Sequence, residues 1–275
     1  MIRKIQRLSE ALSQVSYLEA GTGTPLVLIH GVGMNAEAWF PQIAVLSRHF
    51  RVIAVDMPGH GESTGFGHHA TLTDYVDWLA AFLATQPEQR FAVAGHSMGA
   101  LITAGLAIDY PHYVSRAIVM SGVFRRSAAA RAAVLQRAHE LASGNVQLDA
   151  PLERWFSATP QEQPLRHKVG EWLQQVSPAG YARAYQAFAE GDSLYADRWA
   201  EMRCPVLVMT GELDANSSPD MTRQMASAAL YGEAVVIDNA RHMLNLTDAE
   251  RVTREMLSFL EPVAAHVTSQ EPIQE

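Results

Sequence analysis

Phe91-Ala-Val-Ala-Gly95-His96-Ser97-Met98-Gly99-Ala100 sets an apolar run of strand length directly before Gly-x-Ser-x-Gly, and a helical pattern follows as far as Pro111. The spacing has a steric cause. A serine held on a tight, strained turn from strand to helix needs small residues two before and two after it, and Gly95 and Gly99 supply them. Such a turn lifts the Ser97 hydroxyl above a sheet, at the start of a helix whose first backbone N–H groups point outward. The pentapeptide alone is common. A strand before it and a helix after it give it meaning.

Outward from this turn, strands and helices alternate. Apolar runs at Leu26–Ile29, Val52–Val55, Phe91–Ala94, Arg116–Met120, Val206–Met209 and Ala234–Ile237 read as strands, preceded by a hairpin over Ile2–Arg7 and Gln14–Glu19. Helical spacing appears at Pro41–Ser47, Leu72–Ala84, Met98–Ile108, Pro219–Ala229 and Asp248–Leu260. Buried apolar strands alternating with helices predict an α/β fold, with a mostly parallel eight-stranded sheet covered on both faces. From Phe124 to Ala200 only helical pattern occurs, at Ser127–Ala142, Pro151–Ser157, Gln161–Val176 and Pro178–Glu190. The expected organisation is therefore a core domain of residues 1–123 and 201–261, a helical cap of residues 124–200, and a flexible C-terminal tail of residues 262–275.

A hydroxyl is a weak nucleophile at neutral pH and needs a base, which in turn needs an orienting acid. Val206-Leu-Val-Met-Thr-Gly211-Glu-Leu-Asp214 puts a carboxylate in the loop after one strand, and Ala234-Val-Val-Ile-Asp-Asn-Ala-Arg-His242 puts a histidine in the loop after the last. Glu212 and Asp238 are nearby rivals for the acid, with Asp238 read as ending its strand. Among the other histidines, His60, His68 and His69 lie in loops, and His96 lies within the turn, facing away from Ser97.

Serine, acid, histidine is the chain order of an α/β-hydrolase. Over about residues 12–261 the chain resembles that superfamily, through His30-Gly-Val-Gly, Asp56-Met-Pro-Gly-His-Gly-Glu-Ser63, the Ser97 turn, and the acid and histidine loops. The resemblance implies a helical cap after the sixth strand and a structural role for His60. It also implies an oxyanion hole built from the backbone N–H groups of Met98 and Val32. A serine at the turn separates the chain from the dehalogenase and epoxide-hydrolase branches, which carry aspartate there. Carboxylesterases and 3-oxoadipate enol-lactonases are the relatives it most resembles, with Pro151-Leu-Glu-Arg-Trp-Phe156 similar to a Trp-Phe helix in the lactonase cap. The expected activity is cleavage of a small carboxylic ester or lactone through an acyl-enzyme. The alternatives on the same triad are a C–C bond hydrolase of ring-cleavage products, whose Gly-Gly-rich loop Gly31-Val-Gly-Met-Asn35 matches poorly, and a cofactor-free perhydrolase. Trp155, Arg125 and Arg241 are expected to contact substrate, with Arg126 a further candidate for a substrate carboxylate, and Phe156 and Tyr185 candidates for the pocket wall.

The balance of 29 acidic against 21 basic residues argues against a nucleic-acid partner. No stretch approaches the roughly 20 apolar residues that span a bilayer, and the first twenty residues lack the apolar core of a secretory signal. Cys204 is the single cysteine, read as an inert thiol in a buried strand, so the expected setting is the cytoplasm and the expected state a monomer or homodimer. The mechanism calls for no cofactor, and no metal-ligand set such as His-Glu-x-x-His occurs. One other enzyme class competes for the same residues. Gly31-Val-Gly33-Met-Asn-Ala36 followed by Asp56 mimics a dinucleotide-binding fingerprint. That reading, an NAD-dependent oxidoreductase, would bury Pro41 inside the helix the glycines open, at a cost of about 3 kcal/mol. A catalytically silent binding module is the remaining alternative, and it conflicts with the intact set of Ser97, Asp214, His242 and both turn glycines.

Overall fold

The computed structural model describes residues 1–8, 14–67, 69–144 and 148–261. The tail at 262–275 and His68 lie outside the described residues. In chain order the strands are β1 (Ile2–Gln6), β2 (Val15–Ala20), β3 (Pro25–Ile29), β4 (Arg51–Val55), β5 (Phe91–His96), β6 (Val114–Met120), β7 (Val206–Gly211) and β8 (Gly232–Ile237). The helices are α1 (Phe40–Leu46), α2 (Leu72–Leu83), α3 (Met98–Asp109), α4 (Ala128–Ala142), α5 (Asp149–Trp155), α6 (Gln163–Gln175), α7 (Pro178–Gly191), α8 (Pro219–Ala228), the single turn α9 (Leu244–Thr247) and α10 (Ala249–Leu260). Most lie within two residues of the ranges that periodicity predicts. Pro41 takes the second position of α1, not the first, where its missing N–H costs nothing.

All eight strands form one sheet in the order β1-β2-β4-β3-β5-β6-β7-β8. The β1–β2 hairpin adds antiparallel to β4 at one edge, and every pair from β4 to β8 is parallel. Period-two alternation divides the strand side chains between two cores. Val27, Ile29, Val55, Val93, Val119 and Val208 pack against α2 and α3 on one face. Leu26, Leu28, Val52, Ala94, Ile118 and Met209 pack against α1 and α10 on the other. The expectation of a buried strand fails at β8. It closes the sheet, so Gly232, Glu233 and Ala234 are exposed and burial begins only toward Ile237.

The site follows from this order. Strand order reverses beside β3, so β3 and β5 are neighbours with Ile29 opposite Gly95, and the loops that leave their C-terminal ends meet. Crevices at such a reversal are where open parallel sheets bind ligands. The neighbours β7 and β8 likewise end side by side, with Gly211 opposite Ile237. Between β6 and β7 the chain leaves the sheet for α4 to α7, and α4 packs along α7.

Gly95 and Gly99 are required by contact as much as by conformation. A Cβ on Gly95 would land on the Gly99 carbonyl, and one on Gly99 would land on the Ile29 carbonyl and come within 2.7 Å of the His30 oxygen. Backbone on both sides cannot yield as a side chain would. Gly95→Ala is therefore expected to cost about 3 kcal/mol or more in urea unfolding, the upper end of overpacking penalties. Gly67→Ala, where a Cβ meets nothing within 4 Å, should stay within about 0.5 kcal/mol. Equal stability of the two variants would contradict this account of the turn.

Candidate active site

Ser97 sits between β5 and α3 at φ 55° and ψ −112°, a left-handed backbone that costs a non-glycine residue about 1–3 kcal/mol. The fold holds it there: its N–H donates to the Met120 carbonyl at 2.9 Å, and its own carbonyl accepts from Ala100 N–H at 3.0 Å. The side chain opens onto a cavity of about 530 Å³, shared with His242 and Val32.

His242 Nδ1 lies 2.8 Å from Asp214 Oδ2, with both side chains buried. Asp214 Oδ1 accepts from the N–H groups of Asn216 at 2.8 Å and Ser217 at 3.0 Å. Burial alone would raise this carboxyl; the His242 contact and the two backbone donors outweigh burial and hold it below the ordinary aspartate range. An ionised Asp214 accepts the Nδ1 proton, which leaves Nε2 as the ring nitrogen turned to other partners. Among the described residues no hydrogen bond joins Ser97 Oγ to His242, although both line one cavity. Contacts of this kind tighten when substrate is held. The rival acids lie elsewhere. Glu212 is exposed and accepts from Asn239 N–H at 2.9 Å, and Asp238 is exposed.

Three further histidines brace the loops. His96 Nε2 donates to the His242 carbonyl at 2.8 Å, and its ring packs 4.9 Å from the His242 ring. His30 accepts from Met57 N–H at 2.9 Å and donates to the Gly31 carbonyl at 2.7 Å. His60 accepts from Gly33 N–H at 3.0 Å and donates to the Pro58 carbonyl at 3.2 Å. Gly33 N–H is bonded to His60 and Met34 N–H to Gly31, whereas the Val32 N–H just before them has no acceptor among the described residues. Met98 N–H, at the first position of α3, has no intrahelical acceptor either. Met98 follows Ser97 directly and Val32 lines the same cavity, so these two unspent N–H groups are the candidates to receive a developing oxyanion.

Burial pushes all three bracing histidines down, His30 to about 4 and His60 and His96 to about 3. Their folded pKa values lie below the unfolded value of about 6.5. The unfolded chain therefore takes up protons first as pH falls, and stability present above pH 6.5 is lost toward pH 4. Each histidine contributes roughly 1.4 kcal/mol per pH unit in that window. The melting temperature is expected to drop by about 10 °C between pH 7.5 and 5.5, and a flat profile over that range would count against neutral buried rings.

Of the residues that the sequence proposes for substrate contact, Trp155 lines the cavity, its indole stacked on His242 at 5.8 Å and 30°. Arg126 and Tyr185 line it too, as does Phe188, which the sequence did not single out; Phe156, which it did, is buried in the core and not on the cavity wall. Arg125 does not: it is exposed, bonds Asp197 at 2.5 Å and lies over the Phe124 ring. Its own φ of 48° turns it away from Arg126. Arg241 also lies off the cavity wall, although His242 beside it lies on it. Sequence reasoning missed Arg137 and Arg154, which do line the cavity. The signal was present in helical spacing, since Ala130, Ala133, Val134 and Arg137 share one face of α4. Nothing in α4 itself says that this face meets Ser97. Asp56, the acid of the dinucleotide reading, is consumed internally: Oδ1 accepts from Ala36 N–H at 2.7 Å and Oδ2 pairs with Arg3 at 2.6 Å.

An eight-stranded, mostly parallel sheet with a serine turn at its strand-order reversal is the architecture of an α/β hydrolase. The chain belongs to the alpha/beta hydrolase family, whose model matches residues 26–255. It is 48% identical over 261 residues to the (E)-2-((N-methylformamido)methylene)succinate hydrolase of Acinetobacter baylyi, covering 95% of this chain and 99% of that one. A malate-bound thermophilic esterase from Thermogutta terrifontis superimposes with a TM-score of 0.84 at 25% identity, over 94% of this chain and 98% of the other. The enol-lactonase from Burkholderia xenovorans shares the fold, with a TM-score of 0.83 at 24% identity, covering 94% of this chain and 99% of its own. Among the described residues no helix is long and apolar enough to cross a membrane.

Proposed function

We propose that this chain is a serine hydrolase that works through an acyl-enzyme, with Ser97 as nucleophile, His242 as general base and Asp214 as the orienting acid. One observation carries the reading: a serine on a strained turn opens onto the same cavity as a histidine whose Nδ1 is tied to a buried carboxylate. His242 Nε2 takes the Ser97 proton as Oγ attacks the substrate carbonyl, and the N–H groups of Val32 and Met98 hold the oxyanion. The protonated His242 gives that proton to the leaving group. Water then attacks the acyl carbon, losing a proton to His242, and Ser97 leaves with the acid released. No step calls for a metal or cofactor. Residues 124–200 serve as the cap over this cavity, with α4, α5 and α7 supplying its upper wall. We place this reaction in the cytoplasm, in a monomer or homodimer.

Two substrate readings share the mechanism. A small carboxylic ester or lactone is supported by the likeness to the Thermogutta esterase. The second reading is a formamido-methylene succinate, like that named for the Acinetobacter relative, and it has the higher identity behind it. Carbon–carbon cleavage on the same triad stands beside both, differing only in the group that leaves. Measurement of kcat/KM for p-nitrophenyl butyrate, dihydrocoumarin and (E)-2-((N-methylformamido)methylene)succinate separates them. We expect turnover of at least one. A preference of about 100-fold for the substituted succinate selects the second reading, and the reverse preference selects the first. Failure on all three, with no covalent capture at Ser97, would overturn the serine mechanism.

A further inference from the structure

Few buried polar side-chain atoms lack a hydrogen-bond partner among the described residues, and two donors among them belong to residues that line the Ser97 cavity: Arg126 Nη2 and Trp155 Nε1. An unpaired buried donor is costly, so its presence on a cavity wall points to an acceptor supplied by a ligand. Guanidinium and indole N–H are donors only, so that ligand group must accept, and beside a cation it is best an anion.

Both donors are fixed before any ligand arrives. Arg126 Nη1 donates to the Phe188 carbonyl at 3.3 Å and lies 3.6 Å from Asp192, and the guanidinium rests on the Phe188 ring at 4.4 Å. Its backbone N–H is held by Asp192 at 3.0 Å. Trp155 is fixed by its stack on His242, which places its indole ring beside the reacting centre. Arg137 and Arg154 add two more cations to the same wall, against a single acidic residue, Glu140. The excess of positive charge draws anions to the cavity.

We propose that Arg126 Nη2 and Trp155 Nε1 form the receptor for a carboxylate carried by the substrate, so that the enzyme selects anionic acyl compounds over neutral ones. The assignment rests on the serine-hydrolase reading for the reaction, but the binding site stands on its own geometry. The rival account is that Arg126 serves only as the ion-pair partner of Asp192.

The test is calorimetric titration of the whole chain with succinate and with succinamide, its neutral isostere. Wild type is compared with Trp155→Phe, which keeps the ring stack, and Arg126→Lys, which keeps the charge facing Asp192. In parallel, a fluorophosphonate probe labels Ser97 with and without succinate. We expect succinate to bind about tenfold or more tightly than succinamide and to slow labelling. Each variant should weaken succinate binding about tenfold or more while leaving succinamide binding unchanged, the size expected for one charge-assisted hydrogen bond. Equal affinity for the two ligands, succinate binding that leaves labelling unaffected, or wild-type affinity in both variants would overturn the proposal. Loss of labelling with the succinate preference intact would instead sink the serine reading and leave the carboxylate site standing.

Discussion

Ser97→Ala is expected to lower kcat by about 10⁴–10⁶ on any substrate the enzyme turns over, because no other group takes part in covalent attack. What activity remains comes from the oxyanion donors and from binding, and removal of the hydroxyl leaves both in place. Folding should hardly notice the change. Among the described residues the Ser97 hydroxyl makes no hydrogen bond, while its backbone N–H and carbonyl do the holding, so alanine inherits the same turn. Steady-state kinetics beside a thermal melt checks both halves: turnover collapses and the melting temperature moves by only a few degrees. A variant that kept even a tenth of wild-type kcat would remove Ser97 from the mechanism.

Asp214→Asn is expected to cost about 10³–10⁴ in kcat with little change in KM. The amide oxygen can still accept from Asn216 and Ser217, so the loop keeps its shape. Its NH₂ then faces His242 Nδ1, which must accept, and the imidazole proton moves to Nε2. That nitrogen can no longer take the Ser97 proton. No neighbour can substitute, since Glu212 is exposed and bonded to Asn239 N–H. Stability should also fall, because a depressed carboxyl contributes stability above its unfolded pKa that is lost as pH drops through the folded value. Loss of less than about tenfold in kcat would mean that another group orients His242.

The elements that the sequence made legible share a local cause. Gly95 and Gly99 follow from the steric needs of one turn, and the strands announce themselves as apolar runs. The order of Ser97, Asp214 and His242 follows from loops at successive strand ends. What stayed hidden depends on chain segments far apart in sequence. Arg125 and Arg126 are adjacent, yet the left-handed backbone at Arg125 sends one to Asp197 and the other to the cavity. Arg137 reaches the site only because α4 packs along α7. His96 looked idle within its turn because its partner, the His242 carbonyl, lies 146 residues away. A histidine motif marks a loop; only the folded chain says which backbone group it holds.

The central claim is that Ser97 is an activated nucleophile, and covalent capture tests it most directly. Wild type and Ser97→Ala are treated with a fluorophosphonate, then read by intact mass and by peptide mapping. The account predicts one adduct per wild-type chain, on the peptide that contains Ser97, and none on the variant. An unlabelled wild type, or an adduct on any other residue, would contradict it.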